Sequence, residues 1–208
     1  MKPNDLMSSI PVEDFIRNAF CISVDRRRRE NFTKIFSKLF GAVPMFFDGY
    51  TDDPNRRKNC DCSHMAIIKM AKAMGMPYVT IFEDDAFPRP DAKYLLGECM
   101  KHVPEDAAMV LWGFGNSPGS LPAVNEHMQR AEKPDYLWGA HAYTVFGSCY
   151  DKYSELYPRA ADQYWGLVGP TYVSTNCFIQ FSSEDGVPNT PCFCSMGKLL
   201  SDDSIWDL

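Results

Sequence analysis

Residues 64–90, HMAIIKMAKAMGMPYVTIFEDDAFPRP, restrict the fold of this chain more than any other stretch. Apolar residues recur at helical spacing through Met65, Ile68, Ala71 and Met74, and Gly75 with Pro77 ends the helix. Residues 78–82 are then a short β-branched and aromatic run with little alternation, the pattern of a strand covered on both faces. Three acids, Glu83, Asp84 and Asp85, follow without a spacer. Side chains alternate along a strand, so Glu83 and Asp85 share one face while Asp84 turns away. Adjacent carboxylates repel unless positive charge lies among them. A hard divalent ion such as Mg²⁺ or Mn²⁺ takes oxygen ligands and commonly uses one or two carboxylates, which Glu83 and Asp85 would supply. The other use of such acids is to cap the next helix or to be solvated at a strand end. The context favours the ion, because α/β sheets bind ligands beyond the carboxyl ends of their strands.

The preceding sequence builds the same kind of unit. Residues 19–24 run apolar into Asp25 and read as the first strand. A helical pattern follows from Arg27, with Phe32, Ile35, Phe36, Leu39 and Phe40 on one face and Gly41 as its stop. Residues 43–47 are the second strand, closed by Asp48-Gly49. Asp25, Arg26 and Asp48 therefore leave the sheet at its ligand-binding edge, while Arg27, Arg28 and Arg29 read as a solvated helix face. Residues 51–61 read as an exposed loop able to close over a ligand, with Ser63 as the cap of the next helix.

After the acids, Asp91 is placed to cap a helix running through His102, with Tyr94, Leu95 and Cys99 inward. Residues 107–112 are a buried strand. Residues 116–136 are polar with three prolines and suit a loop outside the core. Residues 137–147 resume β character, and Ser148 is placed to cap a helix through Leu156. The expected class is α/β, a mixed but mostly parallel central sheet with helices on both faces.

Residues 62–88 resemble the family 25 glycosyltransferases, which include bacterial lipopolysaccharide and collagen galactosyltransferases, in a Ser-His, a Gly before the strand and an EDD ending it. Residues 21–29, CISVDRRRR, look like that family's first strand and arginine-rich turn, and residues 139–153 look like its later Ala-Tyr strand. The resemblance covers roughly residues 20–180. It implies a GT-A type fold, a nucleoside-diphosphate sugar donor, a metal at the EDD and inversion at the anomeric carbon. It assigns Asp25, Arg26 and Asp48 to base, ribose or diphosphate contacts, and brings His64 and Asp84 to the donor side of the site. Asp162, in Asp162-Gln163-Tyr164-Trp165, loosely matches a late acidic position and would be the base taking the acceptor hydroxyl's proton. A helix-capping aspartate is the competing reading. Trp138, Tyr164 and Trp165 offer flat surfaces for sugar rings, or core. The third metal ligand is either His141 or water and the donor.

The activity implied is transfer of a hexose, most plausibly galactose from UDP-galactose with Mn²⁺ or Mg²⁺, to a saccharide hydroxyl, as in lipopolysaccharide or surface glycan assembly. A sugar nucleotidyltransferase is the second reading, disfavoured because the turn after the first strand has no glycine. A non-catalytic carbohydrate- or nucleotide-binding domain is the third.

Composition sets the outer limits. A chain of 208 residues, 45% hydrophobic, fits one globular domain over 1–208, with 1–18 as a lead-in containing a short helix from Val12 and 182–208 as a tail without family pattern. The net charge of -6 argues against nucleic acid or an anionic membrane as the main partner. No run of signal-peptide type and no 18-residue apolar stretch occurs, so the expected location is cytoplasmic, with peripheral membrane contact only through a lipid-linked acceptor. Of eight cysteines, Cys60 with Cys62 and Cys192 with Cys194 form C-x-C pairs, a spacing unlike zinc knuckles. The others lie in apolar patterns as small buried thiols.

Overall fold

The computed structural model describes residues 1–114, 121–131, 141–156 and 167–180. Asp162, Trp138, Tyr164, Trp165, Cys192, Cys194 and the tail 182–208 lie outside the described residues. The elements in order are α1 (Pro3–Ser9), α2 (Val12–Arg17), β1 (Phe20–Ser23), α3 (Arg26–Phe40), β2 (Met45–Asp48), α4 (Arg56–Ala73), β3 (Tyr78–Glu83), β4 (Ala86–Pro88), α5 (Ala92–Lys101), β5 (Met109–Gly113), β6 (Met128–Ala131), β7 (Ala142–Phe146), α6 (Tyr150–Glu155), β8 (Thr171–Ser174) and β9 (Phe178–Gln180). Among the described residues no helix is long and apolar enough to cross a membrane.

Among the described residues seven strands form one sheet in the order β2-β1-β3-β7-β5-β8-β6, and β4 with β9 forms a separate two-stranded ribbon. The pairs β1–β2, β1–β3 and β5–β8 are parallel, whereas β7 and β6 run against their neighbours. Five strands thus share one direction, and the sheet is the mixed, mostly parallel α/β sheet expected.

Strand periodicity divides the core into two layers. Cys21, Tyr78, Phe82, Val110 and Trp112 point to the side covered by α1, α2, α3 and α5, where Phe15, Phe32, Phe36, Phe40 and Leu96 pack. Phe20, Ile22, Val79, Ile81, Met109 and Leu111 point to the side covered by α4 and α6, where Met65, Ile68 and Tyr153 pack. Helices on both faces explain why β3 and β5 carry uninterrupted apolar runs. A buried hydroxyl pair, Thr80 with Thr144 at 2.7 Å, receives Trp112 Nε1 at 2.8 Å on Thr144, so these three polar side chains satisfy one another.

Helix ends follow local chemistry, not always where the sequence places them. Asp25 caps α3 by accepting from the Arg28 amide at 2.9 Å, and Gly41 takes a left-handed φ of 69° to end it. Helix α4 begins at Arg56, because Asn55 accepts from the amides of Arg57 and Lys58. The expected loop at 51–61 is therefore half helix, and Ser63 is no cap. Its buried hydroxyl donates to Asn59 O at 2.8 Å and accepts from the Tyr50 amide at 2.9 Å. Asp91 turns its carboxylate to Arg89 and leaves α5 without a side-chain cap, and Tyr94 is exposed where an inward position is expected. Ser148 lies in a 3₁₀ turn ahead of α6.

Candidate metal and donor site

The three acids diverge, as the two-residue period of a strand requires. Their backbone is fixed first: the Glu83 amide donates to His141 O at 2.8 Å and the Asp84 amide to Ile22 O at 3.2 Å. Parallel pairing of β1 with β3 brings the end of β1 beside the acids.

Glu83 faces α4. Its Oε1 accepts from His64 Nε2 at 3.0 Å and lies 3.4 Å from Cys60 Sγ. His64 is buried, and its Nδ1 lies 2.8 Å from the Tyr143 hydroxyl, itself 3.0 Å from the Tyr153 hydroxyl. With the proton on Nε2, His64 donates to Glu83 and accepts from Tyr143. Burial pushes the Glu83 carboxyl up, but the His64 hydrogen bond, the electrostatic pull of the His64 and His141 rings, and Cys60 outweigh it, so its pKa lies below the usual value.

Asp84 faces the other way. Its Oδ2 accepts from Ser23 Oγ at 2.5 Å and its Oδ1 pairs with Arg28 Nη2 at 2.6 Å. Burial raises its pKa, opposed by Ser23 and Arg28. Asp84 thus ties β3 to β1 and α3.

Asp85 has the weakest protein partners of the three. Oδ2 lies 3.4 Å from Gln180 Nε2 and 3.5 Å from Arg28 Nη2, and Oδ1 is buried without a hydrogen-bond partner among the described residues. Burial and the neighbouring Glu83 charge push its pKa up to about 8, against the pull of Arg28. Gln180 Nε2 is also 3.5 Å from Glu83 Oε2, so the outer oxygens of Glu83 and Asp85 face a common point. This donor set suits a hard divalent cation, which takes a carboxylate or two and completes its shell with water or phosphate oxygens.

His141 does not join Glu83 and Asp85 as a single ligand set. The buried ring packs on Gly113 with Nε2 3.4 Å from Phe178 O, burial lowers its pKa, and the atoms near enough to share an ion with Glu83 are those of Cys60 and His64. His141 sits one residue before β7, where its carbonyl holds the Glu83 amide while its ring turns into the core.

The expected donor contacts redistribute. Arg26 lies away from the acids, with its side chain 93% exposed and paired with Glu30 at 3.0 Å. Arg28, expected to be solvated, enters the acid cluster instead. Arg29 pairs with Asp48, donates to Ser23 O and lies over the Phe46 ring. Asp48 is otherwise solvent-facing, and Asp25 is spent on its cap. The residues missed from sequence are Ser23, Arg28 and Gln180. The Asp25 cap and the Arg26–Glu30 spacing of four are local signals that point Arg26 outward and leave Arg28 for the acids. A cavity of about 470 Å³ opens beside Tyr50, Asp53, Cys62, Ala66 and Lys69. Of these, Cys62, Ala66 and Lys69 lie on α4 roughly half a helical turn from Cys60 and His64, so the cavity opens on a side of α4 turned away from Glu83.

No protein-family model matches the chain, and no curated protein matches it in sequence. Several solved structures are distantly similar to the chain. The A197 protein of STIV is 10% identical, with 80% of this chain and 85% of that one covered at a TM-score of 0.47. A glycosyltransferase involved in the glycosylation of the major capsid of PBCV-1 is 8% identical, with 74% and 80% covered at 0.46. The nucleoside-diphosphate-sugar pyrophosphorylase of Vibrio cholerae RC9 is 12% identical, with 85% and 84% covered at 0.42. Likeness of this size carries no information on chemistry.

Proposed function

We propose that the chain is a metal-dependent glycosyltransferase of GT-A type, acting as one domain, that moves a hexose with inversion from a nucleoside-diphosphate sugar to a saccharide hydroxyl. The supporting observation is Asp85: a buried carboxyl with one unpartnered oxygen, beside an outer oxygen of Glu83, at the carboxyl edge of parallel strands. An unsatisfied buried oxygen is unfavourable by itself, and a positively charged ligand relieves it. A Mn²⁺ or Mg²⁺ ion held there would supply Lewis-acid neutralisation of the departing diphosphate.

The chain's own residues divide the remaining work. Asp85 and Glu83 Oε2 are the ligands. Asp84 anchors Arg28, whose planar guanidinium is placed to take a phosphate oxygen. His64 holds Glu83 in one orientation through Nε2. The family 25 resemblance assigns Asp25, Arg26 and Asp48 to the nucleoside, a role in which Asp48 at the end of β2 would exchange its Arg29 pair and Arg26 its Glu30 pair for the ligand. Asp162 is assigned as the base by the family 25 resemblance, which also suggests UDP-galactose as donor, a surface or lipopolysaccharide glycan as acceptor and a cytoplasmic site of action.

The test is sugar release from a panel of nucleotide sugars, with and without Mn²⁺, for the natural chain and Asp85→Asn. One donor should be turned over only with metal, and Asp85→Asn should lose turnover while keeping its circular dichroism. Metal-indifferent release, or full turnover in Asp85→Asn, would overturn the assignment.

A further inference from the structure

A second cluster of ligating side chains lies away from the three acids and shares no residue with them. Glu98 and His102 are four residues apart at the end of α5, so both project from one face of its last turn. His127, immediately before β6, brings its ring beside that of His102, with centroids 4.8 Å apart and planes inclined by 38°. One ligand atom from each of Glu98, His102 and His127 lies within 4.8 Å of the other two.

The backbone around the cluster is fixed. Asn125 Nδ2 donates to His102 O at 3.1 Å and Asn125 Oδ1 accepts from the His127 amide at 3.0 Å, so one side chain ties the two histidine segments together. The Thr175 amide donates to His127 O at 2.9 Å, fastening the loop to the end of β8. Glu126 Oε1 lies 3.4 Å from His127 Nε2 and adds a second negative charge. All three candidate ligands are partly exposed, so ions reach them from solvent.

We propose that Glu98, His102 and His127 form a binding site for a borderline divalent transition metal such as Zn²⁺ or Co²⁺, joining the end of α5 to the start of β6. Two imidazoles and one carboxylate are a nitrogen-rich set that suits these ions, whereas Mg²⁺ prefers oxygen alone. Water completes the coordination. Lys101 Nζ, 2.7 Å from Glu98 Oε1, holds the carboxylate in the absence of metal, and this exposed pair is readily displaced. The inference does not depend on the glycosyltransferase reading.

The full chain, stripped with EDTA and dialysed, would be titrated with Co²⁺ followed by its visible absorption and with Zn²⁺ by calorimetry. Asp85→Asn and Cys60→Ser carry the same titrations, to separate this site from the acids and from Cys60, His64 and Glu83. Beyond the ion held at Glu83 and Asp85 in the natural chain, one equivalent should bind in the natural chain, Asp85→Asn and Cys60→Ser alike. His102→Gln, His127→Gln and Glu98→Gln should each weaken it by at least about tenfold. Lys101→Gln, which removes the competing cation, should bind more tightly. Glu98→Gln and Lys101→Gln change partly exposed side chains, so they report even where His127→Gln does not fold. Binding that is absent, unaffected by Glu98→Gln and His102→Gln, or lost in Cys60→Ser would refute the site.

Discussion

Asp85→Asn should make the metal-free protein more stable at alkaline pH while removing its stabilisation by Mn²⁺. Burial and the Glu83 charge move the Asp85 carboxyl from its ordinary 3.8 to about 8. Between those values the folded state keeps a proton that the unfolded chain releases. Stability in EDTA therefore falls as pH rises through that window, with a slope of up to about 1.4 kcal/mol per pH unit. Over the whole window the ceiling is about 6 kcal/mol, and the coupling to Glu83 and Arg28 lowers what is realised. Asparagine stays neutral at every pH and can still accept from Gln180, so the variant loses this slope. At pH 8 in EDTA it should melt higher than the natural chain by about 2–4 °C per kcal/mol recovered, and at pH 4 the two should coincide. The assay is urea or thermal unfolding at half-unit pH steps, followed by the same melts in Mn²⁺, which should stabilise only the natural chain. A variant with the natural pH slope, or one destabilised at pH 8, would refute the account of Asp85 as a strained, metal-ready carboxyl.

Two arginine variants test the placement of charge. Arg28→Ala strips Asp84 of its 2.6 Å partner and should cost about 1.5–3 kcal/mol in urea unfolding, whereas Arg26→Ala should stay within about 0.5 kcal/mol, and equal costs would contradict the structure. Tyr143→Phe removes the hydroxyl 2.8 Å from His64 Nδ1 and should cost about 1–3 kcal/mol by the same measurement. Gly113→Ala would set a methyl 2.4 Å from His141 Nε2 and 2.7 Å from Phe178 O, so about 3 kcal/mol should be lost in urea unfolding and a heat-sensitive or insoluble product is the expected phenotype.

The parts of the fold legible in sequence are those with continuous local signals. Strands β1, β3 and β5 stand out because both their faces are covered, and α3 because its apolar face repeats until Gly41. Helix α4 starts earlier than its apolar pattern because an asparagine cap, not hydrophobicity, begins it. Strands β6, β8 and β9 are three or four residues long, and β6 sits inside a polar, proline-containing segment, so neither period nor length marks them. The same limit applies to the site. Alternation along β3 correctly separates Asp84 from Glu83 and Asp85, but their partners depend on long-range pairing. Ser23 reaches Asp84 only because β1 and β3 are parallel neighbours, and Gln180 reaches Asp85 across 95 positions because β9 pairs with β4.

That pairing also explains why three acids stand together where one would bind an ion. Each of the first two secures a different element: Glu83 reaches α4 through His64, and Asp84 reaches β1 and α3 through Ser23 and Arg28. These bonds outweigh the effect of burial at Glu83 and only partly oppose it at Asp84, whose pKa stays raised. The third carboxyl then sits in a field made by two anchored neighbours, and one arginine 3.5 Å away is too distant and too shared to balance it. Removing Glu83 or Asp84 would relax Asp85 but would also release the helix or strand that positions it. The rigidity of the site therefore comes from these bonds, and the element that most constrains the fold is also the one that keeps a buried carboxyl oxygen without a partner among the described residues.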